Sequence, residues 1–220
     1  MAKVVIWGIG MFADLAYLYL TEDTDHTIAG FVVDVEFKDA DRFRGLPVVT
    51  PDAVAAAFPP AECRMFVPMS QRENGDCRRS KYLAMKEKGY GFISYVSSRA
   101  QVFSNAAVGE NCFILENNII QHYASVGDNV ILWSNNHIGH HSSIGSHCFF
   151  TSQVVVSGRC SVGEHCYFGV NATVGDGISV AERNILGAGS LVMRNTKPGQ
   201  VFVEKPTALF PMSSGDVALK

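Results

Sequence analysis

The chain reads as two architectures in succession: a small parallel α/β unit, then an all-β solenoid of short parallel strands. Three observations predict this. Sixteen consecutive hexapeptides span 102–197, and each opens on an apolar residue, from Val102, Val108 and Ile114 through Leu186 and Val192. With 47% hydrophobic residues, chance would produce that run in one frame with probability on the order of 10⁻⁵. The second hexad position is Gly in eight repeats (Gly109, Gly127, Gly139, Gly145, Gly163, Gly169, Gly175 and Gly187). Finally, the first 95 or so residues alternate short β-rich runs with helix-compatible stretches instead of keeping the period.

In the first unit, 3–7 is a β-rich run that meets Gly8-Ile9-Gly10-Met11-Phe12-Ala13 and then a helical stretch to about Leu20. This is strand, glycine turn, helix. The next strand, 28–33, ends at Asp34, roughly where a Rossmann-type unit sets an acidic residue against a ribose or base. Strands at 65–68 and 92–96, with helical segments at 51–58 and 79–88 between, complete a β-α-β-α-β-α-β order. The G-x-G-x-x-A turn has two readings: a tight strand-to-helix connection, or a seat for a diphosphate on free N–H groups at a helix N-terminus. About 95 residues suffice for half a Rossmann fold, which favours a nucleotide-linked ligand over a full dinucleotide.

A period of six fits neither one long helix nor a simple hairpin array, whereas one short strand plus one corner per hexad fits well. Stacked units then bury an apolar column that no single hexad could bury alone. The second-position glycines are expected to supply the corners. The fifth position is mostly small or β-branched (Ala106, Cys112, Ala124, Val130, Ser142, Cys148, Val154, Ala172) and forms a second inward row. Beyond Pro198 the period is lost; 201–206 closes the last coil, and 206–220 reads as a tail.

A net charge of −3 without any Lys/Arg run gives no electrostatic reason to propose nucleic acid or membrane as partner. Small-molecule chemistry is the better prior. The N-terminal run reads as a strand, not as a signal peptide, no apolar run is long enough to span a bilayer, and the expected location is cytoplasmic. Of six cysteines, Cys112, Cys148, Cys160 and Cys166 take the inward fifth position, which explains them as small buried thiols; a bridge between Cys148 and Cys166, eighteen apart, is the alternative. No CxxC pair occurs, and no metal is expected.

Hexads such as Val162-Gly163-Glu164-His165-Cys166-Tyr167 resemble those of the left-handed parallel β-helix of hexapeptide acyltransferases, over the whole of 102–197. There three hexads make one triangular coil, so residues eighteen apart stack. With the Rossmann-like half-domain and Gly45-Leu46-Pro47 in front, the chain is similar to the sugar N- and O-acyltransferases grouped with bacterial sialic acid O-acetyltransferases. It is nearest to those acetylating nucleotide-linked amino sugars in glycan biosynthesis. The resemblance implies a nucleotide-sugar-binding domain at 1–97, an acyltransferase β-helix at 98–205, acetyl-CoA as cosubstrate, and a homotrimer with active sites between subunits. Outward aromatic residues Phe113, Tyr123, Trp133 and Tyr167 are candidates for that contact or for a ligand platform.

Acyl transfer needs a base for the nucleophile and a donor for the oxyanion. His122 and His140 share the third position of their hexads and should stack on one edge. The run Ile138-Gly139-His140-His141-Ser142-Ser143 matches the family's catalytic hexads, which implies His140 as general base. The family commonly has an acidic neighbour where this chain has His141, which is counted with the candidate catalytic residues, and a backbone carbonyl, Asn135 or Asn136 could take the acid's place in orienting the imidazole. Gly158, one coil beyond, leaves its N–H open and is the implied oxyanion donor. Val170 and Ala188, in the same hexad position, would follow the pantetheine arm. Gly8, Gly10, Met11 and Asp34 match the nucleotide site, and Trp133 the acceptor-sugar site. Hydroxyl acetylation of a sugar is the nearest alternative activity. A zinc enzyme like the carbonic anhydrases on this coil, drawing on His122, His137 and His140, and a non-catalytic nucleotide-sugar sensor are the others.

Overall fold

The computed structural model describes residues 1–71 and 75–205 together with Thr207, Leu209 and Pro211. Most of the 206–220 tail lies outside the described residues.

The first unit is β1 (Lys3–Trp7), α1 (Met11–Asp23), β2 (Thr27–Val32), a 3-10 turn (Val35–Phe37), β3 (Arg42–Phe43), β4 (Leu46–Val49), α2 (Val54–Ala57), β5 (Cys63–Phe66), α3 (Asp76–Glu87) and β6 (Gly91–Phe92). The sheet order is β3-β4-β2-β1-β5-β6. All neighbours run parallel except the edge hairpin β3/β4. That hairpin turns on Arg44 and Gly45, both at positive φ, and was not anticipated from the sequence. The expected strand at 92–96 divides in two: Gly91–Phe92 closes the sheet against β5, while Tyr95–Val96 already pairs with Phe113–Ile114 of the coil. Val4, Ile6, Ala13, Ala16, Leu20 and Phe31 form one side of this core, and Val5, Trp7, Val54, Met65 and Met85 the other.

The second unit is a β-helix of two-residue strands stacked at intervals of eighteen into three sheets of seven, six and five strands. Face one runs from Tyr95–Val96 through Phe113–Ile114 and Phe149–Phe150 to Val201–Phe202. Face two runs from Gln101–Val102 to Leu191–Val192, and face three from Ala107–Val108 to Ser179–Val180. The hexad openers fill the interior with Cys112, Val130, Cys148, Val154 and Ala172 of the fifth row. Phe150 stacks on Phe168 with ring centroids 4.1 Å apart. All six cysteines are free; Cys166 N–H donates to Cys148 Sγ at 3.3 Å.

The corners are not made by the second-position glycines. From Asn111 to Gly189 the left-handed residue is the fourth of the hexad, as at Asn111 (φ 54°), Tyr123 (61°), His141 (58°), His147 (66°) and Arg159 (57°). Such a conformation costs an L residue roughly 1 kcal/mol or more. Most are held by a rung-to-rung bond from their own N–H to the third-position carbonyl one coil before, as in Asn129 to Glu110, His141 to His122 and His147 to Asp128, while Tyr123 N–H donates to Asn105 Oδ1. The glycines answer a different constraint. A Cβ at Gly145 would lie 2.7 Å from Glu164 N, and one at Gly127 2.8 Å from Ser146 N, so these positions are bare because the next coil passes over them.

The first unit packs on the outer side of face one. Phe113, Ile131 and Phe149 are buried with Leu20, Phe66 and Tyr95 in one core, and Phe113 meets Phe66 and Tyr19 edge-on at 5.4 and 5.9 Å. The helix α3 closes the junction at the corner between faces three and one. There the fully buried Arg78 donates to the carbonyls of Met69, His147 and Cys148, and Asp76 pairs with Arg183. Burial holds Arg78 down to about 10. Phe113, Trp133 and Tyr167 are therefore committed to the contact between the two units, and of the four aromatic candidates for an outer surface Tyr123 alone stays exposed, at 62%.

Candidate active site

Two groups of residues with site chemistry emerge, and the fold sets them on different sides of the β-helix. The first is a cleft of about 700 Å³ in the α/β unit, lined by Gly8, Gly10, Met11 and Asp34 together with Phe12, Phe37, Arg42, Phe43, Met69, Ser70 and Cys77. Gly8 needs its glycine: φ is 103°, and its N–H donates to Val32 O at 2.7 Å, which folds the turn tightly onto β2. Gly10 is bare for another reason, since a Cβ there would meet nothing within 4 Å of the chain. It caps the 13-residue α1 with no side-chain cap bond, so the first-turn N–H groups point into the cleft mouth unclaimed by a capping side chain. The one acid of that first turn, Asp14, is clamped by Arg44 at 2.5 and 2.7 Å, and this bond lowers its pKa. An anion at the helix start is thus spared that repulsion.

Asp34 sits where β2 ends, yet its carboxylate is not idle: Lys81 on α3 binds it at 2.7 Å and also lies 5.4 Å from the Trp7 ring. Sequence reasoning missed Lys81, and no spacing signal marks it. The 3-10 turn with Phe37 and the hairpin with Arg42 and Phe43 form the wall facing the glycine turn, and they too went unrecognised. Trp133 borders this region through an edge-on contact with Phe12 at 5.5 Å. Beneath it, Asn118 and Asn136, buried in the fifth row, both donate to the Trp133 carbonyl and fix its backbone. Asn136 also accepts from Val154 N–H at 2.8 Å, so it is unavailable to orient a histidine.

The second group lies at the corner between faces two and three. His122, His140, Gly158 and Asp176 follow one another up this edge, each eighteen residues from the last. The His140 imidazole sits over Gly158: a Cβ on Gly158 would lie 2.7 Å from His140 Nε2 and 2.8 Å from Cε1. The Gly158 N–H has no acceptor among the described residues. His140 N–H donates to Gln121 Oε1 at 2.9 Å, and its carbonyl accepts from Arg159 N–H at 2.8 Å. The side-chain partner of His140 is His141, Nδ1 to Nδ1 at 3.2 Å with the rings nearly perpendicular. Neither Asn135 nor Asn136 takes that place. Asp176, one coil further, is ion-paired with Arg159.

Val170 and Ala188 fall on neither group. They occupy the third corner, between faces one and two, are exposed, and stack on each other's register. His137 starts a strand on the flat of face two. Among the described residues no three His, Cys, Asp or Glu side chains converge as a metal site would need, and no helix is long and apolar enough to cross a membrane.

Residues 123–158, the stretch that carries Trp133, His140, His141 and Gly158, match the family described as bacterial transferase hexapeptide (six repeats). A perosamine N-acetyltransferase mutant from Caulobacter crescentus, solved with CoA and GDP-perosamine, is similar in structure with a TM-score of 0.81, 23% identity and coverage of 91% of this chain and 93% of its own. The chain shares its fold. The acetyltransferase domain of PglB from Neisseria gonorrhoeae FA1090, in complex with acetyl coenzyme A, gives 0.76 at 18% identity, covering 90% of this chain and 94% of that one. For WeeI from Acinetobacter baumannii AYE the values are 0.66, 14%, 87% and 94%. No curated protein sequence matches significantly.

Proposed function

We propose that the protein transfers the acetyl group of acetyl-CoA to the amino group of a nucleotide-linked amino sugar in bacterial glycan biosynthesis. Residues 1–97 would bind the nucleotide sugar, 98–205 would perform the transfer, and the setting would be cytoplasmic. The observation that carries the reading is the His140 imidazole standing over Gly158, whose N–H has no acceptor among the described residues. In this mechanism the amine attacks the thioester carbonyl while His140 Nε2 takes its proton. The Gly158 N–H stabilises the tetrahedral oxyanion, and collapse expels the coenzyme A thiolate, which recovers the proton from the imidazolium. No covalent enzyme intermediate is needed. The structural neighbours solved with CoA, acetyl-CoA and GDP-perosamine support the same pair of substrates. The cleft volume suits a nucleotide sugar, with the diphosphate at Gly8, Gly10 and Met11 and the ribose or base near Asp34.

The reading requires more than one copy. The cleft belongs to the unit that covers face one, whereas His140 lies on the corner opposite that face, so one chain cannot bring its own base to its own cleft. A homotrimer in which the His140 corner of one copy meets the cleft and Trp133 of the next would complete the site, with Val170 and Ala188 along the coenzyme path.

The test is coenzyme A thiol release from acetyl-CoA against UDP-, dTDP- and GDP-linked amino sugars. Turnover on one of them should fall by about 10²–10⁴ in His140→Ala. Absence of turnover on every amine would sink the N-acetyl reading, and turnover on a hydroxyl sugar would replace it with O-acetylation. Sharing of the site has its own check. Gly10→Glu sets a carboxylate at the helix start where the chain leaves space, and coexpression of this inactive chain with His140→Ala should recover about one quarter of the wild-type sites. A site formed within one chain would recover none.

A further inference from the structure

The corner that carries His140 contains a second imidazole in direct contact with the first, and its geometry assigns it a task. We propose that His141 is the positioning residue of this site: its neutral Nδ1 accepts a hydrogen bond from His140 Nδ1–H, leaving the lone pair of His140 on Nε2, above Gly158. This rests on the acetyl-transfer reading for its consequence, though not for its geometry.

The two Nδ1 atoms are 3.2 Å apart. A contact of this kind between imidazoles needs one N–H and one lone pair, so the rings hold opposite roles. Nothing else competes for His140 Nδ1 among the described residues, and its Nε2 is the atom nearest the space a Gly158 side chain would fill. His141 is itself fixed three ways. Its backbone is left-handed at φ 58°, its N–H donates to His122 O at 3.1 Å, and its ring stacks on Tyr123 at 4.6 Å with 30° between the planes. The Tyr123 contact follows from the coil, for 123 and 141 are eighteen apart. Behind them His122 is held by Asn105 Oδ1 at 2.7 Å and packs on Phe103 at 4.4 Å. The ionisable groups facing the pair are therefore His122 and Tyr123 one coil before, and Asp176 and Arg159, joined to each other, one coil after.

A neutral acceptor orients an imidazole without the charge that a carboxylate would add. When His140 takes the amine proton, the imidazolium gains no counterion from His141, and a proton on each ring at this distance is disfavoured by like-charge repulsion.

Three variants and one spectroscopic reading on the full-length protein test this. His141→Glu should move the acid limb of the kcat/KM profile to higher pH by about one unit. His141→Ala should lower kcat about 10–100-fold with KM for acetyl-CoA unchanged. His141→Asn, which accepts a hydrogen bond and tolerates the left-handed backbone, should restore most of that loss. Nitrogen-15 spectra of the histidine rings should show His140 as the Nδ1–H tautomer in wild type and a mixed or Nε2–H form in His141→Ala. An Nε2–H His140 in wild type, or a pH profile and tautomer indifferent to all three variants, would overturn the proposal. The tautomer reads the hydrogen bond without turnover, so an inactive protein with Nδ1–H His140 would count against the acetyl-transfer reading and leave the pairing intact.

Discussion

Gly158→Ala is expected to abolish most of the activity, about 10²–10³-fold in kcat, while the protein stays folded. The reason lies in what the new methyl would touch. At most positions of the coil a Cβ in place of glycine meets backbone, as at Gly145 against Glu164, and the rungs themselves must move. At Gly158 the nearest atoms are His140 Nε2 at 2.7 Å and Cε1 at 2.8 Å, then Asp176 Oδ1 at 3.1 Å. All belong to side-chain ends at an exposed corner, which can swing away cheaply. Gly158 is not among the positive-φ residues, so alanine meets no backbone strain. The fold therefore loses roughly 1 kcal/mol or less, whereas in the proposed mechanism the imidazole is driven off the line between the amine and the thioester, where general-base catalysis contributes about 10²–10⁴-fold. Thermal denaturation and kcat on the same preparations separate the two effects. A double variant with His140→Ala distinguishes the causes: if displacement of the base is the whole effect, the pair is no slower than His140→Ala alone. A further loss would show that the methyl also shields the amide from the oxyanion. Wild-type turnover in Gly158→Ala would remove both residues from the mechanism.

The period of six was enough to read the solenoid because burial enforces it: every opener from Ile114 to Val192 faces one column, and a polar residue there would stand unpaired in the interior. The eighteen-residue register was likewise enough to stack His122, His140 and Gly158, since stacking depends on spacing and on nothing else. Spacing does not say which corner a hexad occupies relative to the first unit. For that reason Val170 and Ala188 share a hexad position with Gly158 and yet lie on another edge. The turn chemistry was misread on similar grounds. Glycine at the second position suggested corners, although the left-handed residues sit at the fourth and are mostly Asn, His and Arg, tolerated because nearly all close a bond to the coil before. In the first unit β1, the glycine turn and α1 were legible from local pattern. The hairpin at Arg42–Phe43 and Leu46–Val49 was not, as its strands are two and four residues long and the pairing depends on the sheet around it. Lys81 could not be found at all, because its bond to Asp34 spans 47 residues and leaves no period.

Acidification should weaken the fold well above the range of its carboxylates, and His147 should be the largest single cause. On the corner that meets α3 the fourth-position side chains form a buried ladder: Asn111 Nδ2 donates to Asn129 Oδ1 at 2.8 Å, and Asn129 Nδ2 to His147 Nδ1 at 2.9 Å. Used as an acceptor, that nitrogen cannot also carry a proton. Burial holds the His147 pKa down to about 3, with the cations of His165, Arg79 and Arg78 adding and Asp76 opposing. His165, stacked at 4.8 Å, is lowered too, chiefly by burial; its Asp76 neighbour at 3.6 Å does not compensate. The unfolded chain protonates these rings near pH 6.5. Between there and the folded value the unfolded state binds the proton and the folded state refuses it, so stability falls as pH drops through this window. For His147 the slope is about 1.4 kcal/mol per pH unit, or roughly 2 kcal/mol by pH 5. For a chain of this length that is about 4–8 °C in Tm. Asp14, Asp23, Asp76, Glu110 and Glu116 all have lowered pKa values and act below about pH 5, beneath the range from pH 7.5 to 5 in which His147 is read. His147→Asn removes the titration and keeps the hydrogen bond, since Asn accepts from Asn129, extends the ladder by one rung and tolerates φ 66° better than His. Its Tm between pH 7.5 and 5 should fall less than that of wild type by His147's share. Parallel curves for the two proteins would mean that the buried ladder has no part in acid sensitivity. A flatter curve would tie it to the same contact through which Arg78 anchors Met69, and with it the wall of the cleft in the α/β unit, to the coil.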